Sequence, residues 1–266
     1  MTPILETIVA EKRREVQDRK ELYPVKLLQK SIYYETPCVS MKKYLLRSDL
    51  NGIIAEFKRK SPSKGIINEF ANAGTTTLGY MQAGASALSV LTDQKFFGGT
   101  NEDLIAARKF NFCPILRKDF IIDPYQITEA KSIGADTILL IAAILTNEEI
   151  KTFSRQAMEL GMEVIFEVHD AAELEKIPDD TVIVGVNNRN LKTMETDIET
   201  SHRLLSALPS GQIKVAESGI NRADIICELK QAGYHGFLIG EFFMQHSRPE
   251  HACRQLIQNL KTIKPC

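Results

Sequence analysis

Eight short apolar, β-branched runs spaced about 26 residues apart, with longer helical patterns between them, predict an α/β fold. The count of eight and the chain length point to a (βα)8 TIM barrel with an N-terminal helical extension. No linker rich in Gly, Ser or Pro divides the 266 residues, so a single domain is expected, with 1–50 as the extension and 51–266 as the barrel. Strand–helix–strand repetition requires parallel strands joined by right-handed crossovers. An open doubly wound sheet is the other closure such a pattern allows. No GxGxxG follows the first run and no GxxxxGK(S/T) occurs, so its dinucleotide and P-loop forms lack their fingerprints.

The elements follow in chain order. Thr2 is placed to cap a helix whose first position is Pro3, with Ile4, Leu5, Ile8, Val9 and Val16 on one apolar face. Glu11, Lys12, Arg13, Arg14 and Glu15 are expected on the opposite, solvated face. Residues 21–51, with Pro24 and Pro37, read as irregular apart from a short helix near 40–47. The expected strands are 53–58, 86–92, 114–120, 137–142, 163–168, 182–187, 213–218 and 236–240. Their nearly continuous apolar character fits a sheet covered by helices. Helical patterns with charged faces fill 147–161, 221–233 and 247–261, and Gly84, Gly134, Gly161 and Gly233 stand where helices commonly stop.

Composition narrows the function classes. Lys plus Arg total 33 against 34 Asp plus Glu, a net charge of −1, which gives no reason to expect nucleic acid or an anionic membrane as partner. No apolar run approaches the ~18 residues of a membrane span. The first residues lack a basic segment followed by an apolar one, so no secretory signal is read there and a cytoplasmic location is expected. The five cysteines are scattered without CxxC spacing and are expected as reduced thiols. The histidines show no HxH or HExxH spacing, so no metal is expected; His169 reads as a solvent-facing residue at a strand end.

In a barrel of this kind the chemistry lies at the C-terminal ends of the strands. Those ends carry Glu56 and Lys58, Lys118 and Asp119, Glu167, Asn187-Asn188-Arg189, Glu217-Ser218-Gly219 and Gly240-Glu241. Strand side chains alternate faces. Glu56 therefore points with Lys58, Lys118 with Leu116, Glu167 with Ile165, and Glu217 with Val215. If the apolar partners fill the barrel, two lysines and three carboxylates meet at one mouth. A structural ring of ion pairs is one reading of this set. General acid–base chemistry on an anionic substrate is the sharper one, because close carboxylates and lysines perturb one another's proton affinity. The basic stretch 58–65 lies over the mouth and offers Lys58 and Ser61 to a substrate. Ser218-Gly219 and Gly240-Glu241 follow the seventh and eighth strands, where such barrels often bind phosphate through backbone N–H groups. The Glu241 carboxylate would repel phosphate, so only its N–H is expected to contribute.

Six blocks in order, IIAEFKRKSPSKG (53–65), PILRKDFIID (114–123), EVIFEVHD (163–170), VGVNNRNL (184–191), VAESGI (215–220) and IGEFFM (239–244), resemble the successive barrel blocks of the indole-3-glycerol phosphate synthases. The resemblance runs through most of the chain, including the N-terminal helix. It implies conversion of 1-(2-carboxyphenylamino)-1-deoxyribulose 5-phosphate to indole-3-glycerol phosphate, carbon dioxide and water in tryptophan biosynthesis, without cofactor or metal. It further implies Lys118 as proton donor to the substrate carbonyl, Lys58 as partner of the aromatic carboxylate, and Glu167 as the acid–base carboxylate of dehydration. By the same resemblance Glu56 and Glu217 position the lysines, and Asn187 and Arg189 hold hydroxyls or carboxylate. Ser61, Ser218, Gly219, Gly240 and Glu241 would hold phosphate, while Phe120 and the N-terminal segment would shape the aromatic pocket. The sequence departs from many relatives at Glu241-Phe242-Phe243-Met244 and at Asn188 and Asn190. The implied partner is a small sugar phosphate bearing an anthranilate group, and a monomer is the expected state. Two rivals remain: a phosphate-binding barrel aldolase or sugar-phosphate isomerase, the aldolase using Lys118 or Lys214 as a Schiff-base amine, and a barrel that has lost catalysis and serves as a binding or scaffolding subunit.

Overall fold

The computed structural model describes residues 3–191 and 193–263. Eight parallel strands close into a barrel: β1 (Ile53–Phe57), β2 (Ala87–Leu91), β3 (Ile115–Lys118), β4 (Thr137–Ile141), β5 (Glu163–Val168), β6 (Ile183–Asn187), β7 (Ile213–Glu217) and β8 (Gly236–Ile239). Each falls within an expected run. The barrel closes where β1 pairs with β8, Ile54 opposite Leu238. A hairpin of two-residue strands, Lys60–Ser61 and Gly65–Ile66, stands after β1.

Side-chain alternation divides the core. Ile54, Leu116, Leu139, Ile165, Val215 and Leu238 fill the barrel interior, while the opposite faces of the strands pack on the helices. Fully burying each such side chain is worth about 1.5–3 kcal/mol. That apolar floor stabilises strands whose upper ends carry charge. Register then aligns the upper ends, with Ile141 beside Glu167, Glu167 beside Gly185, and Asn187 beside Glu217.

Helix α1 (Pro3–Leu22) precedes the barrel, followed by α2 (Val25–Leu28) and α3 (Met41–Leu45). The short α2 lies in the stretch read as irregular; it is a single turn following Pro24. Thr2 lies outside the described residues. Leu5, Ile8, Val9 and Val16 are buried as expected, but Lys12 is buried with them at 1% exposure. Its position follows from helical spacing: 5, 8, 12 and 16 share one stripe. The barrel helices begin where caps allow. Asp123 with Gln126 forms a capping box at α4 (Pro124–Ser132), and Thr146 with Glu149 does so at α5 (Asn147–Glu159). Cys38, Cys113 and Cys253 are free thiols, as expected. Cys266 lies outside the described residues.

Candidate active site

The inward alternation of β1, β3, β5 and β7 brings the expected ionisable groups together at the C-terminal mouth. The Lys118 ammonium donates to Glu167 Oε2 at 2.6 Å and to Glu217 Oε2 at 2.5 Å. Lys58 Nζ lies 2.9 Å from Glu56 Oε1, and Ser89 Oγ donates to the other oxygen of Glu56 at 3.4 Å. Two glycines make this crowding feasible. A Cβ on Gly185 would stand 2.5 Å from Glu217 Oε1, and one on Gly240 would collide with the Glu56 carboxylate. Asn187 links the set: its Nδ2 donates to Glu167 Oε1 at 3.3 Å, and its Oδ1 accepts from Ser218 Oγ at 2.9 Å and from the Arg189 N–H at 3.0 Å.

The electrostatics separate the two carboxylates that share Lys118. Burial works against an ionised Glu167, but the Lys118 ammonium and His169 outweigh it and hold Glu167 well below the usual carboxylate range. Burial and the neighbouring Glu167 charge push Glu217 up to about 7, despite Lys118. Burial also opposes the Lys118 ammonium, yet Glu167 and Glu217 raise its proton affinity, so it stays cationic. Such unequal environments divide one carboxylate that stays ionised from one that can carry a proton.

These groups form the floor of a cavity of ≈ 640 Å³. One wall is apolar: Leu5 and Ile8 of α1, Leu139 and Ile141 of β4, and the tilted pair Phe97 and Phe120, whose ring centroids lie 5.9 Å apart. The facing wall holds Ser61, Ser218, Gly219, Gly240 and Glu241. Ser218 adopts a left-handed φ of 68°, with Gly219 at 79°, a strained turn of the kind that aims backbone groups at a ligand. Ser61 is buried, and its Oγ accepts the Lys64 N–H at 3.3 Å. Arg189 reaches across the rim: its guanidinium donates to Ser63 Oγ at 3.1 Å and to Glu241 Oε2 at 3.2 Å. The Glu241 carboxylate is thus engaged by Arg189, with Lys64 at 3.7 Å.

Every site residue expected from sequence lines this cavity. The sequence reading missed Phe97, Leu139, Leu191 and Met194 in its lining. Phe97, next to Phe96 and before Gly98-Gly99, was the legible one: two aromatics on a strand-end loop. It also misplaced His169, whose side chain is only 7% exposed and lies 3.1 Å from Glu167. The signal was Glu173, four residues on.

Comparison with known proteins identifies the family. The family model described as indole-3-glycerol phosphate synthase matches residues 5–256. An indole-3-glycerol phosphate synthase of Bacteroides thetaiotaomicron is 46% identical, covering 98% of this chain and 100% of its own length. One of Acidithiobacillus ferrooxidans is 41% identical, covering 96% and 99%. Among solved structures, 3-hexulose-6-phosphate synthase of Salmonella typhimurium superposes with a TM-score of 0.62 at 13% identity, over 79% of this chain and 98% of that one. A tryptophan synthase alpha-subunit of Pyrococcus furiosus gives 0.60 at 15%, over 81% and 99%. These two structural likenesses speak to the barrel alone. The family match and the two synthase relatives, spanning nearly the whole chain, place it in the indole-3-glycerol phosphate synthase family.

Proposed function

We infer that this mouth carries out the family's reaction, the carboxy-lyase step of tryptophan biosynthesis that closes the indole ring of indole-3-glycerol phosphate. The observation that carries the assignment of roles is the Lys118 ammonium, held between Glu167 and Glu217 on the floor of a cavity with one apolar and one small, polar wall. The anthranilate ring of the substrate fits the apolar wall at Phe97 and Phe120. Its phosphate fits the backbone N–H groups of 218–219 and 240–241, with Ser61 on the same wall.

Lys118 donates a proton toward the ribulose carbonyl, which becomes electrophilic as the ring carbon attacks. Lys58, oriented by Glu56, holds the aromatic carboxylate until the new carbon–carbon bond exists; carbon dioxide then leaves and restores the ring. The remaining hydroxyl departs as water on a proton from one of the two lysines, and Glu167, ionised at rest, takes the proton lost from the newly closed ring. Glu217 steadies Lys118 and offsets positive charge on the anilino nitrogen. Asn187 and Arg189 hold substrate oxygens.

The reading extends to the whole chain. The extension 1–50 and the barrel 51–266 act as one domain, because α1 supplies Leu5 and Ile8 to the cavity. We also take the protein to be a cytoplasmic monomer, with the small anionic substrate as its partner. No helix among the described residues is long and apolar enough to cross a membrane.

The test uses the absence of Trp from the chain. Purified protein with the carboxyphenylamino-deoxyribulose phosphate and EDTA should show rising indole fluorescence. Lys118→Ala should slow it by about 10²–10⁴, the scale of a lost acid–base group. Glu167→Gln should lower kcat more than it raises KM. Near wild-type turnover in Lys118→Ala would remove Lys118 from the chemistry. Trapping of a substrate adduct by borohydride would favour the Schiff-base alternative instead.

A further inference from the structure

The oxygen of Glu167 that Lys118 does not take has a cationic neighbour of its own. His169 Nε2 stands 3.1 Å from Glu167 Oε1, beside the Asn187 amide. The other side of the ring is fixed. His169 Nδ1 lies 3.1 Å from Glu173 Oε2, and the His169 backbone N–H donates to that same oxygen at 2.8 Å. The sequence builds this clamp locally. β5 ends at Val168, and Asp170 caps the 3-10 helix Ala171–Lys176 by accepting the Glu173 N–H at 3.1 Å. That turn folds Glu173 back over the imidazole.

We propose that His169, anchored by Glu173, is a positioning residue that grips Glu167 Oε1 and thereby keeps the other carboxylate oxygen turned toward Lys118. A reacting base oriented by a third group is a recurring arrangement in acid–base sites. Here the base is a carboxylate, the orienting group is the imidazolium, and Glu173 fixes the imidazole. The charged groups facing the ring are Glu167 from β5 and Glu173 from the 3-10 helix, with Lys118 beyond Glu167. Lys176 is turned away, onto the carbonyls of Ala142 and Leu145. Burial alone would favour a neutral ring, but Glu167 and Glu173 raise His169 to about 10, so the clamp is cationic at neutral pH. The contact with Glu167 is ionic, for Nε2 makes no aligned hydrogen bond.

The proposal rests on Glu167 being the proton-transferring carboxylate, and the test separates the two ideas. His169→Ala, Glu173→Gln and Glu167→Gln are compared in kcat, in KM, and in carboxyl and imidazole NMR titrations of the whole chain. His169→Ala should lower kcat by about tenfold to a hundredfold, a fraction of a full acid–base loss, with KM changed less than about threefold. Removing a cation raises a carboxylate's proton affinity, so the Glu167 midpoint should move to higher pH in His169→Ala and by a smaller step in Glu173→Gln. The imidazole should stay protonated through pH 8 in the wild type and titrate lower in Glu173→Gln. His169→Gln, which fills the place without the charge, should not recover kcat. A role confined to stability predicts otherwise: a lower melting temperature with kcat and the Glu167 midpoint unmoved, and that result overturns the proposal. An imidazole titrating near 6.5 in the wild type overturns it as well. Full turnover by Glu167→Gln would instead refute the role of Glu167 and take the clamp with it.

Discussion

Lys12→Met is the perturbation that most directly tests how the N-terminal helix is tied to the active-site mouth. Lys12 is 1% exposed, and its ammonium lies 2.7 Å from Glu15, 3.0 Å from Asp93 and 2.9 Å from Asp119. Asp119 stands between Lys118 and Phe120, and Asp93 caps the turn Gln94–Phe97 that carries Phe97. One buried cation thus joins α1 to the two strand ends that form the apolar wall. Methionine keeps most of the side-chain volume and removes the charge. Deleting one partner of a buried ion pair costs about 3–5 kcal/mol. The lower end is expected here, because Asp119 retains Arg117 at 3.1 Å and Thr92, and the Glu15 side chain is 31% exposed. A loss of about 3 kcal/mol lowers the melting temperature of a chain this size by roughly 6–12 °C. Urea unfolding should show a lower midpoint at unchanged slope.

The pH dependence gives this prediction a second edge. Burial disfavours the Asp119 carboxylate, but Lys12 and Arg117 outweigh it and hold Asp119 well below its ordinary value of 3.8. A depressed carboxylate contributes stability that is present above the unfolded value and lost as pH falls toward the folded one. The gap between wild type and Lys12→Met should therefore narrow as pH is lowered through about 4 and below. A loss under about 1 kcal/mol at pH 7, or a gap that does not change in acid, would refute the idea that Lys12 holds the helix electrostatically.

Three further outcomes follow from the site. Gly185→Ala should lower turnover sharply while leaving the protein folded, because the new methyl displaces the Glu217 carboxylate that holds Lys118; unchanged kcat would show that Glu217 tolerates displacement. Glu217→Gln should gain stability relative to wild type as pH rises from 5 to 8, on the order of 2 kcal/mol in denaturant titrations. The sign follows because burial lifts Glu217 to about 7, so its ionisation costs stability between its ordinary 4.5 and that value; a flat difference would contradict it. A substrate analogue lacking phosphate should bind much more weakly in calorimetry, and equal affinity would remove the proposed site at 218–219 and 240–241.

Most of the fold was legible because one short-range signal recurs along the strands that carry the site. The period-two alternation of Ile54 with Glu56, Leu116 with Lys118, Ile165 with Glu167 and Val215 with Glu217 fixes which face is interior. Once the interior is apolar below, the charged residue two positions later must stand at the mouth. The five ionisable groups were found that way, and the structure brings them to one cavity. The alternation cannot say which charge meets which. That Lys118 takes two carboxylates while Lys58 takes one depends on strand order around the closed barrel, a long-range property.

What stayed hidden shares one physical cause: polar side chains that are buried because charged partners neutralise them there. Lys12 sits in a charged run, so its chemistry suggests solvent while its helical position dictates the interior; Asp93 and Asp119, eighty and more residues away, decide in favour of position. Arg117 is the same case on the outer face of β3, buried because Asp119 and Glu129 meet it there. His169 is the local version, since Glu173 is only four residues on, yet a strand end followed by a loop gives no period from which to read the contact. Desolvating such groups singly is prohibitive, and pairing makes it affordable. A sequence with one charged residue on each buried stripe therefore announces a partner without naming it. In this chain Asp119 stands beside Lys118 and Phe120, and His169 stands beside Glu167, so the residues hardest to read from sequence are the ones that hold the legible ones in place.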